Sequence, residues 1–231
     1  MKTIGLIGGM SWESTAVYYR LLNERCRDLR GGLHSAPLLL HSFDFADIEA
    51  LQKQDDWSGA ASKLAGAGKA LAAAGAELIV ICTNTMHRVA DAVENASGLP
   101  LVHIADATAR AVRRKALRRP LLLGTRYTME QDFYRGRVRD RFGIDVLIPQ
   151  KDERDAIHGI IYSELCHGRV RDTSRKRCLE IIERAGGDGA DGVILGCTEI
   201  GLLIDASDTT LAVLDSTRIH VEATLEVAAN E

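Results

Sequence analysis

No stretch of this 231-residue sequence approaches the roughly 18 consecutive apolar residues that a membrane-spanning helix needs. The apolar start, Met1 to Ile7, is too brief for the core of a secretion signal followed by a small-residue cleavage site. A cytoplasmic protein without a membrane partner is therefore expected. An excess of one charge is also missing: 29 Lys and Arg stand against 32 Asp and Glu, a formal net charge of −3. Nothing in that balance recruits nucleic acid or an anionic surface. The five cysteines, Cys26, Cys82, Cys166, Cys178 and Cys197, are odd in number and include no C-x-x-C spacing, so neither a disulfide framework nor a zinc site is indicated. The glycine turn at Gly8-Gly9 does not fit G-x-G-x-x-G, and no acidic residue closes a second strand about twenty residues later, which argues against a dinucleotide site.

What is present is an ordinary globular composition, 46% hydrophobic and 26% charged, arranged as alternating strands and helices. Lys2 to Ile7 reads as a strand, and a helical pattern from Ser11 carries Trp12, Val17, Tyr18, Leu21 and Leu22. Ala36 to Ser42 is a second strand, Trp57 to Ala74 an alanine-rich helix, Leu78 to Cys82 a third strand and Pro100 to Ile104 a fourth, with a helix over Asp106 to Lys115. After Arg118-Arg119-Pro120 the pattern restarts with Leu121 to Thr125, a strand and a glycine turn. Thr128 to Gln131 has the spacing of a capping box, which sets a helix start near Met129. A brief strand over Ile144 to Ile148, helices over Asp152 to Cys166 and Thr173 to Ala185, and a strand over Gly192 to Gly196 follow. Alternation of this kind predicts an α/β fold with mostly parallel sheets flanked by helices. The expected organisation is two pseudo-symmetric domains, residues 1–116 plus 210–231 and residues 117–209, with the final strand (Thr210 to Leu214) and helix (Thr217 to Ala229) returning to the first.

The pseudo-symmetry is visible residue by residue. Gly75-Ala76-Glu77 through Cys82-Thr83-Asn84-Thr85 aligns without a gap, at an offset of 114 positions, with Gly189-Ala190-Asp191 through Gly196-Cys197-Thr198-Glu199. In that register Thr83, not Cys82, is the counterpart of Cys197. The preceding glycine turns keep step: Gly9 lies 74 residues before Thr83 and Gly124 lies 73 before Cys197. Two strand ends built alike imply two halves presenting their carboxyl edges to one shared site.

A thiol at the carboxyl end of a parallel strand lies where ligands bind in open α/β sheets, and helix N-terminal N–H groups lower its pKa toward neutrality, making Cys197 a candidate base. Its plain alternative is a small residue packed at a tight corner. Asn84, Thr85 and Thr198 offer an amide, hydroxyls and backbone N–H groups suited to an α-carboxylate and to the enediolate formed when a Cα proton leaves; helix capping is the competing role for Asn84 and Thr85. Cys82 is a candidate acid/base only if the strand end is twisted by one residue, since alternation turns it to the opposite face. His87 is placed to tune charge near Thr83.

Three segments, Gly8-Gly9-Met10-Ser11-Trp12-Glu13-Ser14-Thr15, Cys82-Thr83-Asn84-Thr85-Met86-His87 and Leu195-Gly196-Cys197-Thr198-Glu199, together resemble the cofactor-independent aspartate/glutamate racemase family, over nearly the whole chain. The resemblance implies two α/β domains with the active site in the cleft between them, and two residues that remove and return a Cα proton on opposite faces. In the family motif Pro-Cys-Asn-Thr-x-His, Cys82 falls on the proline and Thr83 on the cysteine, in agreement with the internal repeat. Glu199, where glutamate racemases tend to carry histidine, points toward the aspartate branch. The pattern looks most like the bacterial L-aspartate/glutamate-specific racemases with threonine first and cysteine second. By this resemblance Cys197 deprotonates the L-form, Thr83 serves the other face, and Met10, Gln52, Asn84, Thr85, Thr125, Glu164, Thr198 and Glu199 contact the substrate, with Met10 and Gln52 in loops. It also implies no cofactor, no metal and a homodimer; no lysine stands in either motif to form a Schiff base. Aspartate racemases tend to have a lysine near Cys166-His167, and none is present here. A threonine alkoxide is too basic to be populated, so chemistry is expected to begin from Cys197. Two other readings share the architecture: a single-cysteine decarboxylase or cis-trans isomerase, and an amino-acid-binding protein without turnover.

Overall fold

The computed structural model describes residues 1–229. Its first elements are β1 (Ile4–Gly8), α1 (Trp12–Arg30), β2 (Leu38–Ser42), α2 (Phe45–Lys53), α3 (Trp57–Ala73), β3 (Leu78–Ile81) and α4 (Ala90–Ser97), with a 3₁₀ helix, Thr85–Val89, between β3 and α4. There follow α5 (Ile104–Arg114), β4 (Leu121–Gly124), α6 (Arg126–Glu130), α7 (Asp132–Phe142), α8 (Lys151–Ser163), α9 (Asp172–Gly187), β5 (Gly192–Gly196), β6 (Ala212–Asp215) and α10 (Ser216–Ala229). Short 3₁₀ helices, Leu165–His167 and Thr198–Leu202, follow α8 and β5. The chain divides into two compact units: Met1–His103 with the stretch from His220, and Ile104–Ile219.

Each unit is an α/β layer structure around one parallel three-stranded sheet, in the orders β2-β1-β3 and β4-β5-β6. Strands β1, β3, β4 and β5 are buried along their whole length, as parallel strands covered on both faces require. In the first unit Ile4, Leu6, Ile7, Leu78 and Ile81 of the sheet, Tyr18 and Leu22 of α1 and Leu64 of α3 are all fully buried. In the second, Leu121, Leu122, Val193 and Ile194 form one cluster with Tyr134, Ile157, Ile161 and Ile181. Each such side chain withdrawn from water stabilises the fold by about 1.5–3 kcal/mol.

The glycine turns are demanded by close approach. Gly9 has φ +82, and a Cβ there would sit 2.2 Å from the Phe43 carbonyl oxygen. Gly124 and Gly196 face each other across β4 and β5: a Cβ on Gly124 would lie 2.9 Å from the Gly196 oxygen, and one on Gly196 2.9 Å from the Leu123 oxygen. The strand that carries the thiol can therefore lie this close to its neighbour only while both residues lack side chains.

Several expected elements differ. Pro100 to Ile104 is not a strand: only Leu101 bridges Ile79, and Ile104 already opens α5, a helix with Asp106 favourably placed in its first turn. Ile144 to Ile148 shrinks likewise to one bridge, Leu147 to Leu121. The helix expected near Met129 begins at Arg126, because the Thr125 hydroxyl accepts from the Thr128 N–H at 3.3 Å and caps it first. Helix α2 had no forecast, and it carries Gln52, which therefore lies on a helix and not in a loop. The strand expected to return to the first half, Thr210 to Leu214, instead pairs with β5 as β6. With the two single-residue bridges counted, the sheets read β2, β1, β3, Leu101 and Leu147, β4, β5, β6. Strand β6 is thus the fourth strand of the second sheet and the counterpart of the Leu101 segment.

Candidate active site

In the first unit the buried strand β3 ends at Ile81 and delivers Cys82, Thr83, Asn84 and Thr85 at its carboxyl edge. The Ser14 hydroxyl of α1 donates to the Cys82 carbonyl at 2.8 Å, fastening this corner from below. Cys82 is 1% exposed, and burial pushes its thiol far above the ordinary cysteine range. Thr83 is half-buried, and its backbone carbonyl accepts from His87 Nδ1 at 2.8 Å. Asn84 and Thr85 are buried; Asn84 occupies the position preceding the 3₁₀ helix without capping it through its side chain, so capping does not account for it. Met10 is buried directly before Ser11, whose hydroxyl accepts from the Ser14 N–H at the start of α1. Gln52 is buried with its amide nitrogen 3.1 Å from the Met86 sulfur.

Behind Thr83 lies a histidine cluster. The His87 ring centroid is 4.7 Å from that of His103 and 5.4 Å from that of His220. His220 Nε2 donates to the Val102 carbonyl at 2.7 Å, and because a carbonyl only accepts, the proton is on Nε2; Nδ1 then accepts from the Tyr18 hydroxyl at 2.8 Å. Burial, with a lesser contribution from His87, lowers the pKa of His220 to about 3. Sequence reasoning singled out His87 and missed its partners. Tyr18 read as one more apolar position on α1, and the contact to His220 spans 202 positions, beyond any local pattern.

In the second unit β5 ends at Gly196, and Cys197 follows in extended conformation (φ −148, ψ 132) before the 3₁₀ helix Thr198–Leu202. Cys197 and Thr198 are half-buried, and Glu199 is buried. The Cys197 thiol donates to Glu199 Oε2 at 2.9 Å. The expectation of a lowered thiol pKa is reversed: burial first, then the Glu199 carboxylate, raise it well above the ordinary value. The physical reason is local, since the turn after β5 is a five-residue 3₁₀ helix and a carboxylate occupies its first turn beside the sulfur. Thr125 caps α6 as Ser11 caps α1, so the two glycine turns end in equivalent hydroxyl caps. Glu164 accepts from the Ser174 hydroxyl at 2.6 Å and lies 3.7 Å from Arg171. Among the described residues no group of three or more His, Cys, Asp or Glu is placed to hold a metal ion, and no helix is long and apolar enough to cross a membrane.

Two α/β units, each ending a buried parallel strand in a short polar motif, form the fold of the two-domain Asp/Glu racemases. The profile of the Asp/Glu/hydantoin racemase family matches residues 7–224, and the chain belongs to that family. The chain is 51% identical to a Yersinia pestis protein described as a candidate Asp/Glu racemase, with complete coverage of both chains and a TM-score of 0.93. An aspartate racemase homologue from Pyrococcus horikoshii OT3 is 36% identical, again over both complete chains, with a TM-score of 0.86. The broad specificity amino-acid racemase RacX of Bacillus subtilis (strain 168) is 22% identical over 233 residues, 96% of each chain. Membership of that family supports amino-acid racemase activity, with amino acids as the substrate class.

Proposed function

We propose that the protein racemises acidic amino acids, L-aspartate or L-glutamate, by proton transfer at Cα without pyridoxal phosphate or metal. Cys197 takes the proton from the L-form, and Thr83 delivers one to the opposite face. The observation that carries this reading is the equivalence of the two positions: Thr83 and Cys197 match at the offset of 114, each two residues after a matched pair, Ile81 and Leu195, on β3 and β5, of which β5 runs one residue further. Asn84, Thr85 and Thr198 flank them with donors for the α-carboxylate, which stabilise the enediolate as charge moves onto it. Water replaces the proton given up by the Thr83 hydroxyl, because the alkoxide does not persist at neutral pH. Enantiomers have equal free energy in water, so kcat/KM is the same in both directions, and any preference for the L-form appears in kcat and KM separately. We also propose a homodimer; the exposed large apolar side chains of the first unit, Trp12, Tyr19, Leu33 and Leu40, the last on edge strand β2, are those a second copy would cover.

Proton NMR in D₂O tests the reaction, with each enantiomer of aspartate and glutamate and optical rotation followed in parallel. Loss of the Cα proton signal from the L-form together with decay of rotation is the expected result, abolished in Cys197→Ser. No exchange from any of the four compounds would overturn the acidic-amino-acid reading and direct attention to decarboxylation, isomerisation or simple binding.

A further inference from the structure

The thiol assigned as base carries a proton that has to go somewhere. We propose that Glu199 is its destination: as Cys197 Sγ takes the Cα proton of the L-amino acid, the thiol's own proton passes to Glu199 Oε2. This inference rests on the racemase reading above. Its geometric basis is the 2.9 Å contact in which the thiol donates to the carboxylate, a route already in place before substrate arrives. A second observation is the burial of Glu199, only 5% exposed, which holds its carboxylate beside the sulfur and out of bulk water. Burial and the adjacent carboxylate keep the proton on sulfur in the resting protein, so a free thiolate is not the starting base. The Cys197–Glu199 pair is the base as a unit.

The transfer balances. The Cα–H bond breaks and its electron pair remains on the substrate as the enediolate; that proton forms a new S–H bond. The old S–H bond breaks and its proton forms an O–H bond on Glu199. Sulfur is neutral before and after, and one negative charge has moved from the carboxylate to the enediolate. No atom changes oxidation state. The reverse sequence lets the same pair protonate the enediolate from the Cys197 face. Glu199 acts through sulfur and is in that sense a positioning residue, distinct from the substrate contact expected of it.

Glu199→Gln and Glu199→Asp test this, with two readouts. Exchange of the L-Cα proton in D₂O gives kcat and KM, and alkylation of Cys197 by iodoacetamide, followed by peptide mass mapping against Cys197→Ser, gives thiol reactivity. In Glu199→Gln, kcat for exchange falls about 100-fold or more with KM little changed. Alkylation of Cys197 near about pH 8 becomes faster in the same variant, because the negative charge that held the proton on sulfur is gone. Glu199→Asp recovers part of the exchange. Unfolding would also expose the thiol to iodoacetamide, so the signature of the relay is faster alkylation together with an unchanged KM and an unchanged thermal unfolding midpoint in Glu199→Gln. The relay is overturned if Glu199→Gln keeps kcat within about threefold, if only KM rises, or if exchange and alkylation fall together. Exchange in the wild type with an unaffected Glu199→Gln defeats the relay alone. Absence of exchange in the wild type defeats the racemase reading and the relay with it.

Discussion

His87 donates its Nδ1 hydrogen to the carbonyl oxygen of Thr83, four residues earlier, at 2.8 Å. The bond fixes the peptide that aims the Thr83 hydroxyl, while the ring itself is braced by His103 and His220. His87→Leu keeps the bulk and removes the donor. Full inversion, read by optical rotation, is expected to fall roughly tenfold, the equivalent of one lost hydrogen bond, with a smaller change in Cα exchange from the L-form.

The two half-sites separate in single variants. Cys197→Ser loses exchange of the L-Cα proton by about 10²–10⁴-fold. Thr83→Ala keeps that exchange and loses decay of rotation, since the opposite face no longer has its donor. Thr83→Cys places a thiol at the strand end and gains exchange from the D-form. Matched NMR and polarimetry traces for the three variants check all these outcomes.

His220 makes stability depend on pH. Its ordinary value of 6.5 is lowered to about 3 in the folded protein, so the unfolded chain binds the proton more tightly. Its neutral form costs nothing above pH 6.5; below that value stability falls by about 1.4 kcal/mol per pH unit until the folded value is reached. His220→Phe abolishes the titration. Urea unfolding between pH 7 and about pH 4 is expected to give a visibly flatter dependence in the variant, on top of a general loss of about 2–4 kcal/mol from the stranded Tyr18 hydroxyl and Val102 carbonyl.

Asp106 provides a contrast outside the two strand-end motifs. It lies in α5 and accepts from Arg137 at 2.6 and 2.9 Å and from Arg141 at 2.7 Å, both on α7. Both paired arginines are partly exposed, Arg141 more than Arg137, and the aspartate is nearly buried, so Asp106→Ala is expected to cost about 2 kcal/mol, discounted for solvent. Thermal unfolding records the loss, and exchange kinetics per folded molecule stay unchanged.

The sequence made the sheets legible where strands are covered on both faces: the apolar runs at Ile4, Leu78, Leu121 and Gly192 all became buried parallel strands. It also carried the strand-end equivalence, because Ile81 and Leu195 sit at matching places before Thr83 and Cys197. The sheet edges were less legible. The Leu101 and Leu147 segments have strand-like composition, but each makes one bridge, and residue type alone does not reveal how many partners a strand finds. The same limit hid the pairing of β6 with β5. At the candidate site, the position of Cys197 was readable and its protonation was not, because burial of the thiol first, and the carboxylate two residues on second, invert the effect assigned to the helix terminus.

The unequal sheet edges bear on any attempt to cut the chain into separately expressed halves. A fragment ending at residue 209 would hold β5 without β6, leaving the strand that leads into Cys197 with an open row of backbone donors and acceptors. Such an edge invites pairing with another copy, and the product would be an aggregate instead of half an enzyme. The duplicated pattern is thus not divisible where its repeat would suggest. A working second half has to borrow its last strand from beyond the point where the repeat runs out.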